Sequence, residues 1–136
     1  MKKLLTYAKT IVYYVIIVFI SYTLMNKLLQ VESFQLNIAK TGVFSNHIIK
    51  PISYFILIIE TISIVLLIFF KKQGILYSLI MFITFTLYII YLYFLKKYEV
   101  CGCGGVLNGL SFEKHLLINV SLIFLTIFIK TPNENK

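Results

Sequence analysis

Two cysteines stand one residue apart in the stretch VCGCGGVLNGLSFEKH, residues 100–115 of a chain that is otherwise dominated by apolar side chains. Buried cysteines often act as small hydrophobes, but Cys101 and Cys103 sit among Gly102, Gly104 and Gly105 in a loop-like segment. A bridge between them would close a loop around a single residue. Its entropic gain would be minimal and its ring strained, which makes it a poor staple. Strained bridges are the more oxidising and labile ones, suited to exchange with other thiols. The glycines give the backbone the freedom to form the small ring and let a partner approach closely. Metal binding is the competing chemistry, since thiolates with His115 or His47 would suit Cu(I) or Zn. The spacing matches no familiar ligand set, and an iron–sulfur cluster normally needs four cysteines.

Further polar residues interrupt the apolar background. His115 follows Cys103 by twelve residues, with Asn119 one helical turn beyond on the same face. A histidine there would tune a thiolate or relay a proton; it would equally serve as an interfacial residue capping polar backbone. Glu60 lies in the middle of a long apolar run. A charge at membrane depth costs about 2.5–3.5 kcal/mol on insertion scales, so Glu60 is expected to be paired or protonated and to face other helices. Lys27 is within reach of it as a helix-tying partner. The alternative is a proton-handling carboxyl beside a quinone, with Tyr88 and Tyr91 lining the same pocket. His47 has nothing beside it that points to chemistry.

The elements that must hold these residues follow from composition. Of 136 residues, 60% are hydrophobic and 13% charged, with a mean hydropathy of +0.91. A soluble domain of this size has roughly 25% charged residues, so lipid must be the solvent for much of this chain. All thirteen basic residues are lysines, placed as ones and twos between apolar runs. That placement marks membrane edges and excludes the basic stripe of a nucleic-acid binder.

Four runs bounded by lysines are expected to span as helices at about 8–29, 50–70, 73–95 and 111–130, in one integral membrane domain covering residues 1–136. Pro51 opens the second, the turn Lys71-Lys72-Gln73 precedes the third, and Ser111 is the expected N-cap of the fourth with Glu113 in its first turn. The first run is too long for a cleaved signal peptide and lacks a small-residue cleavage site. Seven lysines against six favour cytoplasmic termini by a narrow margin, which puts residues 30–50 and 96–111 outside. In the first of these segments Val31, Phe34 and Ile38 share one helical face and Gly42 follows as a stop. A short interfacial helix is expected there.

The residue order resembles the DoxX-like superfamily, in the branch related to the methylamine-utilisation protein MauE and described as redox-associated membrane proteins of Bacteroidetes. The likeness runs over nearly the whole chain: NKLLQVESFQLNI after the first helix, PISYFILIIE opening the second, GILYSLIMFITFTLY in the third, and CGCGG followed by Ser111, Phe112, His115 and Asn119. Phe112 stands where related sequences usually carry tryptophan. The resemblance implies an all-α, four-transmembrane-helix bundle in a bacterial inner membrane, tied to thiol redox chemistry. MauE-type proteins are linked to export or disulfide maturation of an enzyme subunit, and DoxX relatives to quinone-coupled sulfur oxidation. Membrane oxidases of the vitamin K epoxide reductase type carry C-x-x-C and a second cysteine pair, which this chain lacks.

The expected function is thiol–disulfide exchange between a periplasmic thioredoxin-like or client protein and the membrane, with quinone as the cofactor that would fit. Cys101, Cys103 and His115 are the candidate catalytic residues; Glu60, Lys27, Tyr88 and Asn119 are candidates for a quinone site or proton path. The rival expectations are a non-catalytic assembly or maturation factor, and a Cu- or Zn-handling membrane protein or small transporter; the partners expected are the lipid bilayer, the periplasmic client and a membrane complex with this chain as a subunit.

Overall fold

Nothing between Lys2 and Leu29 breaks a helix: the segment holds neither glycine nor proline. In the structure, a computed structural model that describes residues 1–96 and 112–131, this segment forms α1 (Lys2–Leu29). It is followed by α2 (Val31–Thr41), α3 (Asn46–Phe69), α4 (Lys71–Phe94) and α5 (Phe112–Lys130). The described residues are helical, with no strand among them.

Each long helix turns a seam of spacing three and four toward its neighbours. On α1 the seam is Tyr13, Ile16, Ile20, Thr23, Leu24 and Lys27. On α3 it is Ile49, Ser53, Leu57, Glu60, Ser63 and Leu67. On α5 the buried positions are His115, Asn119, Leu122 and Thr126. The four long helices pack in a ring, α1 on α3, α3 on α4, α4 on α5 and α5 back on α1. The opposite faces carry Tyr14, Val18, Ile58, Val65, Ile80, Leu87 and Phe124, all exposed. So much apolar surface outside the core requires a lipid surrounding. By length and composition α1, α3 and α4 are each able to cross a membrane.

The short helix expected after the first span is α2. Phe34 and Ile38 are buried against α3 and α1, and Gly42 ends the helix with φ of 64°, the left-handed conformation glycine adopts without cost. Gln35 ties it to α3 by donating to Ser53 Oγ at 3.0 Å.

Two boundaries differ from expectation. Pro51 does not open the second long helix; α3 begins five residues earlier, at Asn46. The proline removes only the bond its N–H would make to the His47 carbonyl, and that first turn is exposed, where water replaces the partner. Lys71, Lys72 and Gln73 are likewise the first turn of α4 rather than a separate loop, leaving Phe70 as the entire connection. So tight a junction depends on Gly74. A Cβ there would lie 2.5 Å from Leu67 N and 2.6 Å from the Leu66 carbonyl carbon. Tyr13 donates its hydroxyl hydrogen to the Leu67 carbonyl, satisfying one of the orphan acceptors at the end of α3. Ser63 and Ser78, 2.8 Å apart and buried, join α3 to α4 where small residues let the backbones approach.

Candidate functional site

Lys27 and Glu60 face each other because each occupies the interior seam of its helix, in the last turn of α1 and near the middle of α3. Lys27 Nζ donates to Glu60 Oε1, and both residues are 2% exposed. The pairing expected between the first two long helices is therefore present. The ammonium also lies 5.4 Å from the Phe34 ring centre and 5.5 Å from that of Phe85, within cation–π range of both. Three groups, from α2, α3 and α4, thus converge on the one buried ammonium of α1. Glu60 Oε2 is buried and makes no hydrogen bond within the described residues.

Two cavities flank this pair. The larger, about 210 Å³, is lined by Lys27 with Ile38, Phe44, Ile56, Phe85 and Tyr88 among others. Its walls are almost wholly apolar, and the outward-facing Phe55 and Thr84 on its rim open it toward the lipid side between α3 and α4. Phe44 stacks on Tyr88 at 6.4 Å between ring centres. The Tyr88 hydroxyl is buried beside Thr41 but does not complete a hydrogen bond of good geometry. The smaller cavity, about 20 Å³, is lined by Thr23, Glu60 and Asn119 together with Phe19, Ile20, Met81, Phe82 and Phe85. Three polar side chains around a space of this size suit a single bridging water. Phe85 forms a wall of both cavities, with Lys27 lining the larger and Glu60 the smaller.

The structure thus gathers Lys27, Glu60, Asn119 and Tyr88 around one interior. His115, 3% exposed, lies one turn before Asn119 on the same buried face of α5. Tyr91 does not join them: it is 51% exposed on the far side of α4 from Ile89 and Leu92. Three residues of helix carry a side chain about 60° around the axis, enough to move it from chamber wall to lipid face. His47 is exposed on the first turn of α3, away from these groups. Cys101, Cys103 and Ser111 lie outside the described residues. Among the described residues no cluster of three metal-ligating side chains occurs.

Phe34, Phe44 and Phe85 are the site residues the sequence did not single out. Phe34 carried a signal, as part of the expected face of α2. In a chain with twelve phenylalanines, nothing in the sequence distinguishes Phe44 or Phe85 from lipid-facing ones.

Comparison with protein families matches residues 5–131 to the model described as methylamine utilisation protein MauE. No curated protein and no solved structure matches the chain.

Proposed function

This chain belongs to the methylamine utilisation protein MauE family, and on that premise we propose that it is a membrane thiol–disulfide component that helps mature exported proteins. Its four long helices would all span the membrane, with α2 lying at the outer surface. The thiol pair would sit on that same side, between the end of α4 and the start of α5.

The chemistry rests on the spacing of Cys101 and Cys103. A bridge closed around Gly102 is strained and therefore oxidising. A client thiolate would attack one of its sulfurs, forming a mixed disulfide and releasing the other cysteine as thiolate. The client's second thiolate would then attack the mixed disulfide. The client leaves oxidised to a disulfide, and Cys101 and Cys103 are left as the dithiol, two electrons having moved to them. His115 would favour the thiolate form of the leaving cysteine. The observation that carries this reading is the Cys-Gly-Cys pair running within nine residues into a helix on which His115 is buried.

The dithiol must then be reoxidised, and the chamber beside Lys27 fits a quinone ring. It is apolar, opens to lipid, is lined by Phe44, Phe85 and Tyr88, and has an ammonium in its wall as a hydrogen-bond donor for a carbonyl. A quinone held there would supply a two-electron, two-proton acceptor soluble in the bilayer. Lys27 would orient it, while Glu60, lining the smaller cavity behind, would accept a proton and Asn119 beside it would hydrogen-bond along that path.

Trapping tests the exchange role. With Cys103→Ser the bridge cannot form, and Cys101, its thiolate attacking the disulfide of an oxidised client in the reverse of the exchange, has no neighbouring thiol to release it and is expected to accumulate as a mixed disulfide with that client in oxidising cells. No adduct with either single variant would remove the basis for exchange. Full function in Cys101→Ser/Cys103→Ser cells would assign the chain instead to docking and assembly.

A further inference from the structure

The end of the bundle that carries the N-terminus holds a third, chemically different cavity. Its lining is Thr6, Lys9 and Thr10 from α1, Lys71 from α4, and Ile129, Lys130 and Thr131 at the end of α5, around about 260 Å³. Three ammonium groups from three helices and three hydroxyl side chains face one space, and among the described residues its lining holds no carboxylate. The described glutamates lie elsewhere: Glu60 near mid-helix, Glu32 on α2 and Glu113 at the start of α5.

Two of the lysines are held in place rather than free to wander. Lys9 Nζ donates to the Thr131 carbonyl at 2.7 Å and lies 5.6 Å from the Phe128 ring centre. Lys71 Nζ sits 4.7 Å over the Tyr13 ring. The amides of the first turn of α4, which begins at Lys71, have no partners within the helix and add positive potential at the same point. Lys2, Lys3 and Lys72 surround this end, so the basin sits at the level where lysines mark the edge of the hydrocarbon.

We propose that this basin binds a phosphate group, presented by the headgroup of an anionic phospholipid. Three cations, two of them held in place, with no carboxylate among the described lining residues favour a ligand of net negative charge, and repel the quaternary ammonium that accompanies the phosphate in phosphatidylcholine. The hydroxyls of Thr6 and Thr10 donate to the carbonyls of Lys2 and Thr6 on α1, so the ammonium groups are the donors to phosphate oxygens and the threonines supply a polar wall beside them. The ligand bridges α1, α4 and α5 and closes the bundle at the end where the α3–α4 hairpin and the last turn of α5 meet the first helix.

The full chain in phosphatidylcholine nanodiscs is the reference, compared with nanodiscs containing phosphatidylglycerol and with inorganic phosphate added to the phosphatidylcholine discs. Phosphatidylglycerol is expected to raise the melting temperature and to co-purify with the protein, measured by mass spectrometry of retained lipid. Lys9→Gln/Lys71→Gln/Lys130→Gln should lose both effects. Lys9→Arg/Lys71→Arg/Lys130→Arg should keep them, each variant being read against its own phosphatidylcholine baseline. Lys2→Gln/Lys3→Gln/Lys72→Gln removes the same charge from the same end outside the lining and should also keep them. If the basin triple variant keeps the gain, or the control triple variant loses it equally, the site is overturned in favour of diffuse surface attraction. If inorganic phosphate protects as well as phosphatidylglycerol does, the lipid assignment is overturned in favour of a soluble phosphate.

Discussion

Replacing Glu60 with glutamine should destabilise the bundle by about 3 kcal/mol. The substitution preserves shape and removes only the charge that answers Lys27. Both partners are 2% exposed, and among the described residues no other carboxylate approaches the ammonium. Two estimates agree on the size. Breaking one side of a buried ion pair costs about 3–5 kcal/mol, because the partner is left uncompensated. A lone charge deep in a membrane helix costs about 2.5–3.5 kcal/mol on insertion scales. The Phe34 and Phe85 rings stay near Lys27 in both proteins, so their cation–π contributions largely cancel in the comparison. Reversible unfolding in mixed detergent micelles reads the difference directly, as a shift of about 150-fold in the folding equilibrium. Lys27→Met should cost a similar amount. Lys27→Met/Glu60→Leu should recover most of the loss, since replacing a buried pair by apolar groups of similar volume is often neutral. A glutamine variant within about 1 kcal/mol of the parent, or a double variant showing the plain sum of the single losses, would refute the reasoning.

Two further substitutions test the junction of α3 and α4. Gly74→Ala places a methyl 2.5 Å from Leu67 N, against backbone that cannot swing away, and should cost about 1–3 kcal/mol as an overpacking change in the same unfolding assay. Tyr13→Phe leaves the Leu67 carbonyl without its donor and should cost about 1 kcal/mol, and its hydrogen-exchange signature should be faster exchange confined to the last turn of α3.

Much of the helix layout was legible because lipid imposes a simple code. The four apolar runs, the lysines at their ends and the short helix stopped by Gly42 follow from composition and spacing, as α2 and its buried Phe34 and Ile38 illustrate. Helix ends were less legible. Pro51 and the Lys71–Gln73 turn read as boundaries, yet α3 and α4 run through them, because an exposed first turn tolerates a proline and a glycine four residues on lets the hairpin close on one residue. Of the site, Glu60 and Lys27 stood out because charge is rare in such runs, and His115 and Asn119 because they are polar at a four-residue spacing.

Amino-acid sequence alone therefore determined that this is a membrane-embedded helical chain, and which few polar residues had to face inward, since in hydrocarbon a charge must find a partner. Tertiary structure decided what each of them meets. It joined Glu60 to Lys27, surrounded that ammonium with Phe34 and Phe85, separated Tyr88 from Tyr91, and brought Lys9, Lys71 and Lys130 from three helices to one basin. Helix periodicity fixes the direction of a side chain relative to its own axis, whereas the rotation and height at which separate helices meet depend on contacts such as Gly74 against Leu67, which no single segment encodes.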